Sequence, residues 1–258
     1  MRDELLQTLP IYKTPSQSLW RAFELRKLRE VEFVRPILEI GCSDGAFSSL
    51  IFDEIDDAID VNPRAVDRYQ RRHGTGGVYN RIHCMDARRM SFGDASYRTV
   101  FANCVLEHIP DLPGVLADCC RVLQLGGTLV TTVPLERMND HLMIRSRWYA
   151  RWRQSNLVHV YLLSEQGWKD LFLAAGFSSV EFAPYLSGRN CHLWDRIDGV
   201  VGLGFGRYKL GAALAKALEK SPVGLSRRVY ERVARWLVPH IDTVIGNDAC
   251  TMFLIARK

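Results

Sequence analysis

The stretch Leu38-Glu39-Ile40-Gly41-Cys42-Ser43-Asp44-Gly45 gives the strongest structural signal in the chain. The apolar run 36–40 leads into a turn of small residues, and the pattern of residues 46–52 predicts a helix. The next apolar run, 57–61, carries the carboxylate of Asp60 near its end. A strand, a tight turn, a helix and an acid about 20 residues further on are the parts of a nucleoside-binding βαβ unit, in which the acid binds the ribose hydroxyls.

The turn itself discriminates between two kinds of nucleoside. A dinucleotide site needs G-x-G-x-x-G with the pyrophosphate at the helix N-terminus, but Ser43 and Ala46 occupy two of those glycine positions. The acids Glu39 and Asp44 flank the turn and would repel a pyrophosphate. S-adenosylmethionine (SAM) carries a positive ammonium and a positive sulfonium and no phosphate, so the same acids would attract it. The turn resembles the first motif of class I SAM-dependent methyltransferases, with Ser43 in place of the middle glycine.

Length and composition describe a globular chain. Its 258 residues, 47% hydrophobic and 24% charged, suffice for one large domain or for one domain with an insertion. No apolar run reaches about 18 residues, and the N-terminus lacks the apolar core of a signal peptide, so we expect a cytoplasmic protein. Seven cysteines without a C-x-x-C pair favour a reducing compartment. No group of His, Cys or Asp has the sequence spacing of metal ligands, and we expect no metal.

Strand and helix signals alternate along the rest of the chain. Predicted strands follow at 77–84, 98–102, 128–134, 180–183 and 251–255, and predicted helices lie at 16–34, 115–123 and 164–175. Gly126-Gly127 and Gly176 are expected to end the last two helices, and Ser164 to cap the third. Together with the first two strands, this order predicts an α/β fold with a doubly wound, mostly parallel seven-stranded sheet.

Further segments resemble class I SAM-dependent methyltransferases in the family's order and spacing, from about residue 16 to residue 185. These segments are Asp86-Ala87 with Met90-Ser91-Phe92, the fourth-strand stretch 101–109, the turn 121–129 from Arg121 through Gly126-Gly127, and the late helix and aromatic turn 161–177. The resemblance implies a Rossmann-like fold, SAM as cofactor and methyl transfer as the activity.

Ligands of open parallel sheets bind beyond the carboxyl ends of the strands, and several polar or small residues follow predicted strands at that edge. The resemblance implies that Asp60 binds the ribose, Asp86 and Ala87 the adenine, and Gly41 with Asn103 the methionine part. The expected cofactor-binding residues are Glu39, Gly41, Ser43, Gly45, Asp60, Val61, Asp86, Ala87 and Asn103. For Glu39, the alternative is a buried partner of a helix N-terminus or of water.

The sulfonium of SAM is already an activated methyl donor, so the protein chiefly has to align the reactants and exclude water. A histidine could deprotonate an acceptor hydroxyl at neutral pH, and His108, His141 and His159 are the candidates. We favour His159, which follows the fifth strand where related enzymes often form the acceptor pocket, and then His108. The alternative for each is a structural histidine.

The sequence indicates the chemical class of the methyl acceptor but not its identity. The run Asn103-Cys104-Val105-Leu106 differs from the N-P-P-aromatic run of enzymes that methylate amino groups in nucleic acids, so we do not expect a nucleic-acid partner. Arg and Trp recur over 137–160, and such residues bind sugars, bases, phosphates or carboxylates. The helix led by Trp20 resembles small-molecule methyltransferases found with bacterial polysaccharide genes. We therefore expect oxygen methylation of a small molecule, sugar or lipid-linked acceptor.

The expected domains are an N-terminal helical cap (1–35), a SAM-binding core (36–187), a helical insertion (188–248) and the last core strand (249–258). Within the insertion, an apolar and flexible run (199–206) precedes two amphipathic helices, 208–220 and 226–238. Residues 207–235 carry eight Lys or Arg and two Asp or Glu, in a chain of net charge +5. This pattern fits a lid, a homodimer contact or a peripheral element on the inner face of a membrane, through 199–238.

A catalytically degenerate fold that serves as a binding or scaffold subunit is the main alternative to an enzyme. Gly41, Gly45, Asp60 and Asp86 argue against it, because a scaffold does not need them.

Overall fold

The computed structural model describes residues 1–258 except 75, 203, 206, 207, 244 and 247, and it describes no side chains at 203–210. The chain divides into two compact units. The sheet unit comprises Val31–Glu136, Trp152–Pro184 and Thr251–Lys258, and the helical unit comprises Met1–Glu30, Arg137–Arg151 and Tyr185–Cys250.

The described strands and helices alternate through most of the chain. The strands are β1 (Ile37–Ile40), β2 (Ile55–Asp60), β3 (Tyr79–Cys84), β4 (Tyr97–Asn103), β5 (Leu123–Pro134), β6 (Ser179–Leu186), β7 (Gly204–Phe205), β8 (Tyr208–Lys209) and β9 (Thr251–Arg257). The α-helices are α1 (Arg2–Tyr12), α2 (Pro15–Leu28), α3 (Pro63–His73), α4 (Leu112–Val122), α5 (Arg147–Leu157), α6 (Glu165–Ala174), α7 (Gly188–Val201), α8 (Leu210–Lys220) and α9 (Val223–Leu237). Short 3-10 turns lie at Ser48–Leu50, Leu106–His108, Glu136–His141 and Val238–His240.

The predicted seven-stranded sheet is confirmed, in the order β3-β2-β1-β4-β5-β9-β6. The neighbours from β3 to β5 run parallel, and β9 runs antiparallel to β5. All four residues of β1 are buried, as expected for a central parallel strand that is covered on both faces. Because β1, β2, β3 and β4 are parallel, their carboxyl ends meet at one edge of the sheet.

The connection from β1 to β2 differs from the prediction. In place of the helix expected over 46–52, the structure has one 3-10 turn, Ser48–Leu50. The Ser48 hydroxyl donates to the Glu39 carboxylate at 2.7 Å, and the Ser49 hydroxyl donates to the Ala46 carbonyl at 2.9 Å. Serine side chains that bond nearby groups in this way compete with helical hydrogen bonds and keep the segment short.

Two other boundaries differ from the sequence interpretation. The helix expected at 115–123 starts at Leu112, and Gly126-Gly127 do not end it, because the chain turns extended at Leu123 and β5 runs through both glycines. The helix expected over 16–34 ends at Leu28. Val34 is extended instead: its N–H donates to the Thr99 hydroxyl at 3.2 Å, and its carbonyl accepts from that hydroxyl at 2.8 Å.

The cap predicted at Ser164 is confirmed, since its hydroxyl accepts from the Gly167 amide at 3.1 Å. Gly176 follows α6 with φ +101°, the conformation expected of a glycine beyond a helix end.

In the helical unit, α2 packs on α1 and α7, and α1 packs on α9. Trp20 donates its indole N–H to the buried Glu24 at 2.6 Å and lies edge-on to Trp194, with ring centroids 4.9 Å apart. The Tyr185 hydroxyl donates to the same carboxylate at 3.2 Å. Trp20 is therefore part of the packing of this unit.

The two amphipathic helices expected in the insertion are present as α8 and α9, on either side of Ser221-Pro222. The apolar run 199–206 is partly helical, because α7 extends to Val201; residues 203 and 206 lie outside the described residues. The buried face of α9 is formed by Tyr230, Ala234 and Leu237, whereas Trp236 is 56% exposed. Each helix in the described part of the chain is too short or too polar to cross a bilayer.

Candidate cofactor and acceptor site

A cavity of about 450 Å³ lies at the carboxyl edge of the sheet unit. Its walls come from the ends of four adjacent strands and the segment that follows β4. The lining residues are 40–41, 59–61, 85–88, 104–105 and 108–110. The volume lies within the range of small-molecule sites, and the position is that of ligand sites in open α/β sheets.

The turn after β1 is anchored to β2. The Gly41 and Cys42 amides both donate to the Ile59 carbonyl, at 2.8 and 3.2 Å. Gly41 has φ +73°, and a Cβ built on it would lie 2.4 Å from Cγ2 of Val105. Only glycine fits here, because a side chain would be strained by the backbone and would collide with the cavity wall.

Asp60 is held at the cavity by backbone amides. Its Oδ2 accepts from the Ser43 amide at 2.9 Å, and its Oδ1 accepts from the Asn62 amide at 2.8 Å. Each carboxylate oxygen has a second lone pair, so Asp60 can still accept two hydrogen bonds from the vicinal hydroxyls of a ribose. These acceptor oxygens fit the ribose of the adenosyl group of SAM.

Asp86 also lines the cavity, and it has a partner that sequence reasoning missed. The Arg88 guanidinium donates to both carboxylate oxygens, at 3.0 and 2.6 Å. These hydrogen bonds, with that of the Arg88 amide, lower the pKa of Asp86 below its usual value. The acid is ionised at neutral pH and remains able to accept from an exocyclic amine.

Of the expected cofactor-binding residues, Gly41, Asp60, Val61, Asp86 and Ala87 line the cavity. Ser43 acts through its amide on Asp60 and does not line the cavity. Gly45 also lies outside the wall: a Cβ there would lie 2.8 Å from the Tyr69 ring and 2.9 Å from the Tyr79 ring. The two tyrosine rings therefore leave no room for a side chain at Gly45.

Glu39 lies behind the turn, buried at 4% exposure, and is outside the cavity wall. Burial raises its pKa to about 7, although the Ser48 hydroxyl donates to it. Glu39 is therefore a buried acid whose partner is the Ser48 hydroxyl.

Asn103 is likewise outside the cavity wall, and its Oδ1 accepts from the Thr132 hydroxyl at 2.7 Å. The next residue, Cys104, has φ +51° and donates its amide to the same hydroxyl at 3.0 Å. This turn brings Cys104 and Val105 to the wall, two lining residues that the sequence did not single out.

Two candidate bases lie next to each other in the sheet unit. His108 lines the cavity, and its ring centroid lies 5.3 Å from that of His159. Burial, together with the positive charges of His108 and Arg153, lowers the pKa of His159 to about 4. His159 is therefore neutral at neutral pH. In the helical unit His141 packs against Gly188, where a Cβ would lie 2.2 Å from its ring.

The fold also assembles a group that sequence spacing did not reveal. Ligand atoms of Glu107, His108 and His159 all lie within 4.8 Å of one another. The two histidines are 51 residues apart in the chain, so only the tertiary structure brings them together.

Comparison with known proteins agrees with this geometry. Residues 38–131 match the family model for the methyltransferase domain. The chain is 25% identical over 154 residues to a Haemophilus influenzae protein of unassigned function, covering 57% of this chain and 60% of that protein. It is 27% identical over 150 residues to the O-methyltransferase cnsE of Penicillium expansum, covering 56% of this chain and 52% of that enzyme. The chain thus spans between half and two thirds of the length of these curated relatives.

Solved structures with similar folds cover nearly the whole chain. A SAM-dependent methyltransferase from Archaeoglobus fulgidus has a TM-score of 0.54 at 15% identity, covering 92% of this chain and 94% of that one. Phosphoethanolamine N-methyltransferase 2 of Haemonchus contortus, solved with S-adenosylhomocysteine, has a TM-score of 0.56 at 14% identity, with coverages of 93% and 52%. The [4+2]-cyclase SpnF has a TM-score of 0.56 at 16% identity, with coverages of 92% and 81%. These likenesses show the fold.

Proposed function

We propose that the protein is a SAM-dependent methyltransferase that transfers the methyl group to an oxygen of a small-molecule, sugar or lipid-linked acceptor, in line with the methyltransferase-domain match over residues 38–131. The observation that carries the proposal is Asp60, a carboxylate fixed by two backbone amides at the cavity. Together with ionised Asp86, it gives the cavity a negative wall that suits a positively charged adenosyl donor.

When bound, SAM supplies a methyl group on a positive sulfur, and transfer to a hydroxyl breaks the carbon–sulfur bond, forms a carbon–oxygen bond and releases the hydroxyl proton. His108 and His159 are the groups that promote the loss of that proton. His108 lines the cavity and His159 lies beside it. The Nδ1–H of His108 donates to the Val158 carbonyl at 3.0 Å, so its Nε2 keeps a free lone pair.

Three features support an oxygen acceptor of the sugar or lipid-linked class. The segment after β4 lacks the N-P-P-aromatic run, and one relative is an O-methyltransferase. On α5, Trp148 and Trp152 are 71% and 48% exposed, and they alternate with arginines. Exposed indoles and guanidinium groups are suited to contacts with sugar rings and phosphates.

Thermal unfolding with added nucleosides tests the cofactor. SAM and S-adenosylhomocysteine are expected to raise the Tm, and NAD is not, because only a ligand of the folded state stabilises it. Stabilisation by NAD alone would overturn the proposal.

Transfer is then followed from tritiated SAM into polar and lipid extracts. Label is expected in a sugar or lipid fraction with the parent protein and not with an Asp60→Asn variant. If the protein binds SAM and no fraction acquires label, the scaffold alternative is favoured.

We also propose that the solvent-exposed side of α9 binds peripherally to an anionic membrane. Its solvent side carries Arg228, Arg232 and Arg235 next to Leu225 and Trp236, which are 54% and 56% exposed. Each basic residue adds about 1 kcal/mol near an anionic leaflet, and the apolar side chains can insert at the interface.

Sedimentation with vesicles tests this contact. The protein should sediment with phosphatidylserine vesicles and stay in solution with phosphatidylcholine vesicles, and Arg228→Ala/Arg232→Ala should reduce the bound fraction. Equal recovery in the supernatant with both vesicles would exclude the contact.

A further inference from the structure

The cluster of Glu107, His108 and His159 is built by backbone contacts within the sheet unit. Glu107 and His108 lie on the 3-10 turn after β4, and His159 lies just beyond α5. The amides of Val160 and Tyr161 both donate to the Glu107 carbonyl, at 2.8 and 3.0 Å. These bonds fix the segment that carries His159 against the turn that carries the other two residues.

Both imidazoles are oriented by an oxygen at Nδ1. His108 donates its Nδ1–H to the Val158 carbonyl at 3.0 Å, and His159 donates its Nδ1–H to Oε1 of Gln154 at 2.6 Å. Each ring therefore has its lone pair at Nε2. Metal-binding histidines show this arrangement almost always, because the outer oxygen fixes the tautomer and the ring plane.

The distances within the cluster leave room for a cation. Nε2 of His108 lies 3.8 Å from Oε1 of Glu107, beyond an ordinary hydrogen bond. Ligands of a tetrahedral cation at about 2.1 Å stand about 3.4 Å apart. The ligand atoms, all within 4.8 Å of one another, need only small side-chain rotations to reach that spacing.

We propose that Glu107, His108 and His159 bind one divalent transition-metal cation, whose open coordination positions take a hydroxyl of the acceptor. Two imidazoles and one carboxylate suit zinc, cobalt, manganese or iron(II), and three protein ligands leave positions for substrate. Glu107 is 1% exposed, so a cation bound to its carboxylate would be shielded from water. Because His108 also lines the cavity, the cation lies beside the donor site.

The role of the cation, but not its binding, rests on the proposed methyl transfer. A hydroxyl bound to the cation has a lowered pKa and loses its proton to water. Its oxygen then attacks the methyl carbon as the carbon–sulfur bond breaks. The cation keeps its oxidation state, so no oxidant or reductant is needed. Direct proton transfer to an imidazole is then unnecessary.

Titration of the metal-free 258-residue chain with Co²⁺, followed by visible absorption, tests the site. We expect one equivalent to bind, with no thiolate charge-transfer band, although the chain has seven cysteines. His159→Ala and Glu107→Gln should each weaken Co²⁺ binding at least tenfold. His240→Ala, at an exposed histidine of the helical unit, is the matched control and should bind as the parent does.

SAM binding and thermal unfolding of each variant show whether it is folded, and His159→Asn replaces His159→Ala if the latter unfolds. Equal Co²⁺ affinity in the parent and all variants, or a thiolate band, would overturn the site. Failure of SAM to bind a protein that binds Co²⁺ would instead overturn the proposed function and leave the site standing. Full methyl transfer after chelation would overturn the role of the cation and leave the function intact.

Discussion

The backbone amide of Ser43 donates a 2.9 Å hydrogen bond to Oδ2 of Asp60, and this bond joins the turn after β1 to the acid at the end of β2. Ser43 has φ +50°, a conformation that is uncommon outside glycine. The strained turn therefore holds the carboxylate in place before any ligand arrives. A preorganised acceptor pays less entropy on binding than a mobile one.

Asp60→Asn is expected to weaken SAM binding about 10- to 100-fold, since a hydrogen bond to a charged group contributes about 1.5–3 kcal/mol. The amide also lacks the negative charge that attracts the donor. Isothermal titration with SAM measures the effect. Asp67→Asn, at an exposed acid on α3, is the matched control and should bind SAM as the parent does.

Gly41→Ala is expected to destabilise the fold by about 2–4 kcal/mol, because the new Cβ meets Val105 and because φ +73° is strained for alanine. Gly126→Ala separates the two causes: Gly126 has φ +75° with nothing within 4 Å of its built Cβ, so only strain of about 1 kcal/mol is expected there. Chemical denaturation of both variants measures the difference.

A second substitution checks the collision directly. Val105→Ala removes the atoms nearest to the new Cβ and should recover part of the stability of Gly41→Ala. If the Gly41→Ala and Gly126→Ala variants lose the same free energy of unfolding, Val105 moves aside and the added Cβ causes no collision.

The sheet and the main cavity residues were predictable because their signals are local. Apolar runs ending in Gly41, Asp60 and Asp86 define strands and their carboxyl ends, and parallel strands must bring those ends to one edge. The connection after Gly45 was mispredicted, because apolar periodicity does not register hydrogen bonds from serine hydroxyls to neighbouring groups.

The rest of the site depends on contacts that no local pattern reports. Arg88 pairs with Asp86, two residues earlier, through the orientation of its side chain, which the sequence pattern does not specify. The meeting of Glu107 with His159 results from the path of the chain through β5 and α5. Sequence patterns also do not report that Gly45 packs against two tyrosine rings or that Asn103 accepts from the Thr132 hydroxyl.

Asp57→Asn is expected to destabilise the sheet unit by about 3 kcal/mol, the usual cost of breaking a buried charged network. Asp57 is 3% exposed and accepts from Arg81, His83 and Tyr97, the last two at 2.8 Å. Burial raises the pKa of this acid, but these hydrogen bonds outweigh burial, so the pKa lies below its usual value. Glu54→Gln, at a surface ion pair, is the control and should lose much less in chemical denaturation.

Glu39 should make stability depend on pH near neutrality. Its pKa rises from 4.5 to about 7 on folding, chiefly through burial, so the folded chain binds more protons than the unfolded chain between those values. The stabilisation is complete below about pH 4.5 and is lost as the pH rises through about 7. Glu39→Gln cannot ionise, and it keeps an oxygen that can accept from the Ser48 hydroxyl.

Thermal unfolding at pH 5 and pH 8 compares the two chains. The parent should lose more Tm than Glu39→Gln over this interval, and the variant should be the more stable of the two at pH 8. The same change in Tm for both chains would place the Glu39 carboxyl in a wetter environment than 4% exposure implies. Glu54→Gln serves as the control, because Asn80 and Arg35 lower the pKa of Glu54 and it stays ionised throughout the interval.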